Sequence, residues 1–411
     1  MNIVFVHSYW QTTRSYSHAI AALAAEASQL APLSEVRLVT VRDDDSEAAA
    51  LEIAALQPDI VFFTSMSSQW RLIADIAGRV RAKLDRPLLV AGGVHPTARP
   101  QTLLADNFDV LVLGEGETVL PRILEEATAL RLSADNQKRP VRLRAAAVEN
   151  LTDLQPPRLD LFDPADLLAY PSVMFSRGCP FKCNYCMSRL GGIAGKVRWK
   201  SAEQAVSEIE QLIELTDCPQ ILLDDDTLLK NPKWVRAFCS LYQRRIGRPF
   251  LCNARPETIS RDRIEVLASA GCSGIGIGIE SGSPKIRASL GRPMTDEMII
   301  EAFATVRRAG IRTWSFNMVG IPGETETDLR ATIDLNKRAR VDDVRVSIFT
   351  PYPGSPMGEE VEIGEPGYFR SADGLAPDLR ETYRQWLAEL KDQDRLWVTE
   401  SERSLLEGAQ H

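Results

Sequence analysis

Residues 172–186 read SVMFSRGCPFKCNYC, and this stretch decides the fold. It begins with a short apolar run of the kind that forms a buried parallel strand. Directly after that run, one tight loop carries Cys179, Cys183 and Cys186. Further apolar runs follow, each separated from the last by a segment with helical periodicity. Six such βα units predict a partial TIM barrel, whose reactive residues gather at the carboxyl ends of the strands.

The segment before this barrel has the same rhythm of apolar runs and helical patterns. Strands joined by crossover helices form a doubly wound parallel sheet, which binds ligands at the carboxyl ends of its strands. The predicted fold class is therefore α/β, with an N-terminal doubly wound, Rossmann-like domain followed by a partial (βα)6 barrel. The predicted boundaries are 1–132 for the first domain, 133–170 for a linker with a small hairpin, 171–358 for the barrel and 359–411 for a C-terminal helical extension.

The C-terminal extension contains one amphipathic pattern. Its apolar residues recur at helical spacing and predict a helix whose apolar stripe packs on the barrel. These residues are Leu379, Tyr383, Trp386, Leu387 and Leu390.

Composition limits the class of protein. With 44% hydrophobic and 25% charged residues, the chain of 411 residues can bury large cores and is typical of a globular protein. Its formal charge of -8 argues against nucleic-acid binding, which requires a basic surface. No apolar run approaches the length of a membrane span, and MNIVFVHSYW at the start lacks a signal-peptide pattern. We therefore expect a cytoplasmic protein with no membrane partner.

The cysteines indicate metal chemistry. Their number, seven, is odd for a disulfide framework, and three of them share a C-x3-C-x2-C spacing. A structural zinc site would need a fourth ligand nearby, which is missing. Iron-sulfur clusters normally take four thiolates, so a loop with three leaves one iron open to an outside ligand. The four cysteines outside this loop are interpreted as buried small hydrophobic residues. They are Cys218, Cys239, Cys252 and Cys272.

The loop, its spacing and its place after the first barrel strand resemble the radical SAM superfamily. The resemblance implies a 4Fe-4S cluster held by Cys179, Cys183 and Cys186. Its open iron would chelate S-adenosylmethionine, and an electron would cleave that molecule to a 5'-deoxyadenosyl radical. A flavodoxin or ferredoxin is implied as the electron donor.

Residues at other strand ends fit the same resemblance. Tyr185 resembles the residue that contacts adenine, with loop packing as the alternative, and Glu280 resembles the acidic residue on the ribose hydroxyls. Arg255 is predicted either to pair with the methionine carboxylate or to form a surface ion pair. The remaining predicted S-adenosylmethionine contacts are Asp224 and Asp225 after the second strand and Asn317 on the fifth.

The first domain resembles the cobalamin-binding domain that precedes many radical SAM barrels. The resemblance rests on DIVFFTSMSSQW (59–70), AGGVHPT (91–97) and LGEGE (113–117). It implies that a glycine pair admits the nucleotide tail of cobalamin and that a serine-rich loop contacts it. The implied cobalamin-binding residues are Ser65, Ser67, Gly92, Gly93 and His95.

One departure concerns the lower face of cobalamin. Domains that ligate cobalt from below carry an Asp-x-His-x-x-Gly loop, whereas this chain reads FVHSYWQTT after its first strand. His7 lacks the acidic residue that would orient a ligating imidazole, so we expect Trp10 or a neighbour to shield that face instead. Glu115 and Glu117 are predicted to have a structural role at the domain junction.

These observations favour a cobalamin-dependent radical SAM methyltransferase that acts at a carbon of a small metabolite or natural product. The alternative keeps the architecture without bound cobalamin and uses the radical for dehydration, epimerisation or ring closure of a polyol or aminosugar. A non-catalytic cobalamin sensor is the rival of another class, and the intact cysteine loop argues against it. No motif names the catalytic residues or the substrate.

Overall fold

The computed structural model describes residues 1–9, 14–42, 45–85, 87–102, 105–130, 140–187, 190, 196–358 and 372–396. Within these ranges the chain forms two six-stranded parallel sheets and one short antiparallel pair. The predicted α/β class, with a doubly wound domain followed by a partial barrel, is confirmed.

The first sheet has the strand order β2-β1-β3-β4-β5-β6. The chain starts in the interior of the sheet, so the direction of winding changes beside β1, and such a switch point is where doubly wound domains bind ligands. The strands are β1 (Asn2–Ser8), β2 (Glu35–Val41), β3 (Ile60–Thr64), β4 (Leu88–Gly92), β5 (Val110–Leu113) and β6 (Val141–Arg144). The helices are α1 (His18–Leu30), α2 (Ser46–Ala55), α3 (Trp70–Lys83), α4 (Val94–Ala98) and α5 (Leu120–Glu125).

The segment interpreted as a hairpin is instead the edge strand β6. It pairs parallel to β5, with Val110 opposite Val141 and Leu113 opposite Arg144. The sequence VRLR has too few apolar residues to signal a strand by itself. Its pairing comes from the open edge of β5, which the local pattern does not reveal.

The second sheet runs in sequence order from β7 to β14, with β8 and β9 outside it. Its strands are β7 (Ser172–Val173), β10 (Ile221–Leu223), β11 (Phe250–Ala254), β12 (Cys272–Glu280), β13 (Arg312–Val319) and β14 (Asp343–Ile348), while β8 (Ser176–Arg177) pairs with β9 (Arg198–Trp199). The helices after the first sheet are α6 (Pro164–Ala169), α7 (Ala202–Thr216), α8 (Pro232–Arg245), α9 (Arg261–Ser269), α10 (Pro284–Ser289), α11 (Asp296–Arg308), α12 (Glu326–Ala339) and α13 (Pro377–Asp392).

Side-chain caps set where many helices begin. The Ser201 hydroxyl accepts the Gln204 N–H at the start of α7. Thr325 and Asp328 form a reciprocal capping box at the start of α12. Each such cap satisfies backbone N–H groups that have no partner within the helix. These two helices therefore begin where the sequence places a capping residue.

The C-terminal helix α13 packs on the barrel, as its apolar stripe predicted. Leu379, Tyr383, Trp386 and Leu390 are buried in the core cluster that also contains the barrel helices, and Leu387 is half-buried against it. The same core cluster also includes Ile20 and Val112 of the first domain. The two domains thus share an apolar core.

Candidate active site

The cysteine loop is anchored to other elements near its middle. Asn184 donates its backbone N–H to the Leu290 carbonyl at 2.9 Å and its side-chain amide to the Ser289 carbonyl at 2.8 Å. The Met357 N–H donates to the Asn184 carbonyl at 3.1 Å. The loop is therefore fixed against α10 and against the segment that follows the last strand.

The three thiols of this loop are free of disulfides. Cys179 and Cys183 are buried and Cys186 is half-buried, and burial raises the pKa of the Cys179 thiol. Within the described ranges, no three His, Cys, Asp or Glu side chains meet as a site for a single metal ion. A four-iron cube takes separate thiolates on separate irons, so its ligands need not converge on one atom. Three thiols on one anchored loop fit that donor set.

Asp225 supports the segment that leads into the loop. Its buried carboxylate accepts the Ser176 N–H and hydroxyl, both at 2.6 Å, and the Phe175 N–H at 3.1 Å. Burial raises its pKa to about 7. These hydrogen bonds fix the chain just before the first cysteine, and a contact between Asp225 and S-adenosylmethionine stays a prediction.

Asp224 lies in a different setting from its neighbour. Its carboxylate accepts the Asn253 amide at 3.2 Å and the Tyr170 hydroxyl at 3.3 Å. Burial raises the pKa of Asp224 to about 6, and the nearby charge of Asp226 adds to the shift. A contact between Asp224 and S-adenosylmethionine stays a prediction.

Arg255, after β11, is buried beside the cysteine loop. Its Nη1 lies 2.9 Å from the Cys183 sulfur, and its Nη2 donates to Glu257 at 2.6 Å. The guanidinium carbon lies 3.8 Å from the centre of the Phe181 ring. Arg255 thus forms an ion pair, as the alternative prediction had it, but its side chain is only 10% exposed. Its pairing with the methionine carboxylate stays a prediction.

Glu280 and Tyr185 are joined by an arginine that the sequence did not reveal. Glu280 ends β12 at a register shift with a φ of 66°, which is unusual for a residue other than glycine. Arg292 lies 3.2 Å from the Glu280 carboxylate and donates to the Tyr185 hydroxyl at 3.2 Å and the Gly278 carbonyl at 2.7 Å. Strained backbone of this kind collects at functional sites. A single arginine in a turn gives no pattern signal.

Asn317 belongs to a network inside the barrel wall. Its amide donates to the Ser315 hydroxyl at 2.8 Å and the Arg345 carbonyl at 3.2 Å, and its carbonyl accepts the Asn336 amide at 2.9 Å. The residue is buried, and these contacts tie β13 to α12 and β14. Its predicted contact with S-adenosylmethionine stays a prediction.

A cavity of ≈ 400 Å³ lies between the first sheet and the barrel. Its walls come from both domains, so a ligand in it would contact both. They include Tyr16, His18, Phe62, Thr64, Gly92 and Gly93 of the first domain and Val173, Phe175, Lys200 and Glu208 of the second.

The backbone at the glycine pair passes very close to the neighbouring strand end. Gly93 has a φ of 95°, and a Cβ there would lie 2.8 Å from the Thr64 hydroxyl and 3.1 Å from the Ser65 backbone. Only glycine fits that conformation and that space. The Ser65 hydroxyl is buried and has no hydrogen-bond partner among the described residues. A cavity lined by the glycine pair, with an unsatisfied hydroxyl on the residue next to Gly93, fits the nucleotide tail of cobalamin.

Ser67 and His95 form a buried pair outside the cavity lining. The two ring nitrogens of His95 lie 3.0 Å from the Ser67 hydroxyl and 2.9 Å from the Thr102 hydroxyl, and the ring stacks on Trp70. Burial lowers the pKa of His95 to about 4. Both nitrogens are occupied within the protein, and a contact between this pair and cobalamin stays a prediction.

His7 is likewise engaged by the protein. Its Nε2 lies 2.8 Å from the Ser15 carbonyl, and burial lowers its pKa. This contact engages one ring nitrogen, and the expectation that His7 does not ligate cobalt stays a prediction. Trp10, the predicted shield of the lower face, lies outside the described residues.

Glu115 and Glu117 connect the two domains, as predicted. Glu115 accepts two hydrogen bonds from Arg198, at 2.6 and 2.9 Å, and one from the Val148 N–H at 2.7 Å. Glu117 accepts a hydrogen bond from the Arg177 guanidinium at 2.7 Å. Arg177 lies two residues before Cys179, so this junction also supports the start of the cysteine loop.

Comparison with known families agrees with both halves of this architecture. Residues 173–335 match the family model of the radical SAM superfamily, and residues 13–124 match that of the B12 binding domain. The chain is therefore a radical SAM enzyme with an N-terminal B12-binding domain. Enzymes that combine these two domains use a 4Fe-4S cluster, S-adenosylmethionine and cobalamin.

Individual proteins show similarity along most of the chain. An uncharacterized methyltransferase of Pyrococcus horikoshii, PH0819, is 28% identical over 82% of this chain and 77% of its own. The anaerobic magnesium-protoporphyrin IX monomethyl ester cyclase of Cereibacter sphaeroides is 25% identical over 88% of this chain. This chain spans 64% of that cyclase's length.

Solved structures share the fold. The radical S-adenosylmethionine methyltransferase TsrM of Kitasatospora setae superposes with a TM-score of 0.70 at 18% identity, over 87% of this chain and 75% of its own. The cobalamin-dependent radical enzyme OxsB superposes with a TM-score of 0.67 at 17% identity, over 95% of this chain and 55% of its own. In the described part of this chain, no helix has both the length and the apolar character that crossing a bilayer requires.

Proposed function

We propose that this enzyme transfers a methyl group from methylcobalamin to a carbon atom of a small metabolite or natural product. The observation that supports this most is the junction at which the cavity of the B12-binding domain meets the segment Val173–Arg177, directly before the cysteine loop. The two binding regions are thereby adjacent in space. The methyltransferase relative from Pyrococcus supports the same reaction class.

In this proposal the bound groups supply the reactive species and the chain positions them. The cluster with S-adenosylmethionine supplies a 5'-deoxyadenosyl radical, and cobalamin supplies the methyl group. Cys179, Cys183 and Cys186 hold three irons of the cluster. Glu280 and Tyr185, fixed by Arg292, orient the nucleoside of S-adenosylmethionine.

The first domain holds cobalamin in this proposal. Gly92 and Gly93 leave space for the nucleotide tail, while the unsatisfied Ser65 hydroxyl supplies a polar contact. The Glu117–Arg177 ion pair holds that domain against the segment that leads into the cysteine loop. A small flavodoxin or ferredoxin supplies the electron.

The test begins with anaerobic production of the full chain with cobalamin supplied. We expect about four irons and one cobalamin per chain, measured as iron, sulfide and cobalt together with the visible spectrum. The enzyme is then incubated with S-adenosylmethionine carrying a deuterated methyl group and with candidate substrates. A product that is heavier by the labelled methyl group supports methylation, and a product without label rules it out.

A second candidate is radical ring closure, dehydration or epimerisation without methyl transfer. Of these reactions, ring closure is favoured by the 25% identity to an anaerobic cyclase over 88% of this chain. The two candidates differ in mass balance, because ring closure changes the product without adding the labelled carbon. A changed but unlabelled product, formed together with 5'-deoxyadenosine, would select this candidate.

A further inference from the structure

Arg255 is held in place on three sides beside a cysteine that the proposed function assigns to the cluster. One guanidinium nitrogen lies 2.9 Å from the Cys183 sulfur and the other donates to Glu257 at 2.6 Å. The guanidinium carbon lies 3.8 Å from the centre of the Phe181 ring. A planar guanidinium held by an aromatic ring and an ion pair keeps a defined orientation. Its donor is therefore fixed toward the sulfur.

A cation at this position has a specific effect on an iron-sulfur cluster. One-electron reduction makes a thiolate-bound cluster more negative, and hydrogen bonds to its sulfurs and nearby charges set its potential. Burial strengthens such an interaction because the local dielectric is low. We propose that Arg255 is a positioning residue that raises the reduction potential of the cluster through its contact with Cys183. This inference rests on the proposed binding of the cluster by the cysteine loop.

Glu257 gives the proposal a second, opposite expectation. Its carboxylate pairs with the same guanidinium and is 25% exposed, so it offsets part of the positive charge. Removing that carboxylate leaves more uncompensated positive charge near Cys183. Glu257→Gln should therefore shift the potential in the direction opposite to Arg255→Gln.

The experiment is a potentiometric titration of the full, cluster-loaded protein, followed by the electron paramagnetic resonance signal of the reduced cluster. It is done without S-adenosylmethionine, so that a contact between Arg255 and the methionine carboxylate cannot contribute. For Arg255→Gln we expect a roughly tenfold lower equilibrium constant for one-electron reduction, equivalent to about 59 mV toward more negative potential. Glu257→Gln should move the potential to less negative values.

Arg263→Gln is the matched control. Arg263 is a half-buried arginine of the same region that donates to the Thr258 carbonyl rather than to a cysteine. Its replacement should leave the potential unchanged. Iron and sulfide are quantified for every variant, so that potentials are compared only between equally loaded proteins.

The outcomes separate this inference from the proposed function. A wild-type chain that binds no cluster contradicts the proposed function itself. A loaded Arg255→Gln protein with the wild-type potential overturns the role of Arg255, whether or not its affinity for S-adenosylmethionine falls. A shift in the same direction for Arg255→Gln and Glu257→Gln also overturns it, because that pattern indicates a general distortion of the loop.

Discussion

At the scale of single residues, the proposed chemistry depends on three thiols that lie on one anchored loop. Each thiolate would hold one iron, so the loss of any one leaves the cluster with two protein ligands. We expect Cys183→Ala to lose most of its iron and all cleavage of S-adenosylmethionine, measured as bound iron and as 5'-deoxyadenosine released. Cys239→Ala, which removes a buried thiol of α8, should keep both. Full iron content in Cys183→Ala would contradict the assignment.

His95 should make the stability of the first domain depend on pH. Burial lowers its pKa to about 4 from 6.5, so the unfolded chain binds more protons than the folded one between these values. Stability is therefore full above pH 6.5 and falls as the pH drops toward 4, by roughly 3 kcal/mol for this residue. We expect His95→Gln to flatten this dependence, measured by urea unfolding across that pH range.

Ser67→Ala is the control for the titration of His95. It removes a hydrogen-bond partner of the ring but leaves the ring itself. The variant should be less stable at every pH while it keeps the wild-type slope. An unchanged slope in His95→Gln would show that another group causes the pH dependence.

The site residues differ in how readily the amino-acid sequence predicts them. The cysteine spacing is a local pattern that reflects the chemistry directly, so it could be interpreted without coordinates. Arg292 and the contacts of Asp225 are different, because each depends on which strand ends lie side by side. Asp225 accepts backbone N–H groups from a segment about fifty residues earlier, and no spacing along the chain encodes such a pairing.

At the scale of elements, the helix α13 contributes to the barrel through one apolar stripe. Trp386 lies at its centre, with 3% of its surface exposed. We expect Trp386→Ala to lower the free energy of unfolding by about 4 kcal/mol, because it removes a large buried side chain. Gln385→Ala, on the exposed face of the same helix, should change it by less than about 0.5 kcal/mol. Denaturant unfolding measures both, and equal effects would mean that the helix does not contribute through packing.

Helices are the elements that a sequence reveals most directly, because caps and apolar periodicity act locally. The helix α8 is an example, since Asn231 caps it and Pro232 begins it. The strand β6 was not predicted, because its four residues gain their structure from β5 rather than from their own pattern. Capping and apolar periodicity within the segment thus determine the helices. A weak edge strand such as β6 is determined by its pairing with a neighbouring strand.

At the scale of the whole molecule, a buried ion pair links the two domains. Arg198 and Glu115 are both nearly inaccessible and hydrogen-bond twice. Arg198→Met leaves the Glu115 carboxylate without its main partner, which should cost roughly 3 kcal/mol and separate the thermal transitions of the domains. Calorimetry measures both effects.

Lys196→Met is the control for this junction. Lys196, two residues before Arg198, pairs with Glu149, but both side chains are largely exposed. Exposed pairs contribute little, so its loss should leave the transition unchanged. If both variants behaved alike, the junction would not depend on the buried pair.

The cavity that both domains line has a consequence for the life of the protein in a cell. Any molecule that binds there stabilises the assembled two-domain form and not the separated domains. Intact chains then escape proteolysis in proportion to how much of that molecule is present during synthesis. If cobalamin occupies this cavity, as proposed, the supply of cobalamin would help to set the abundance of the enzyme.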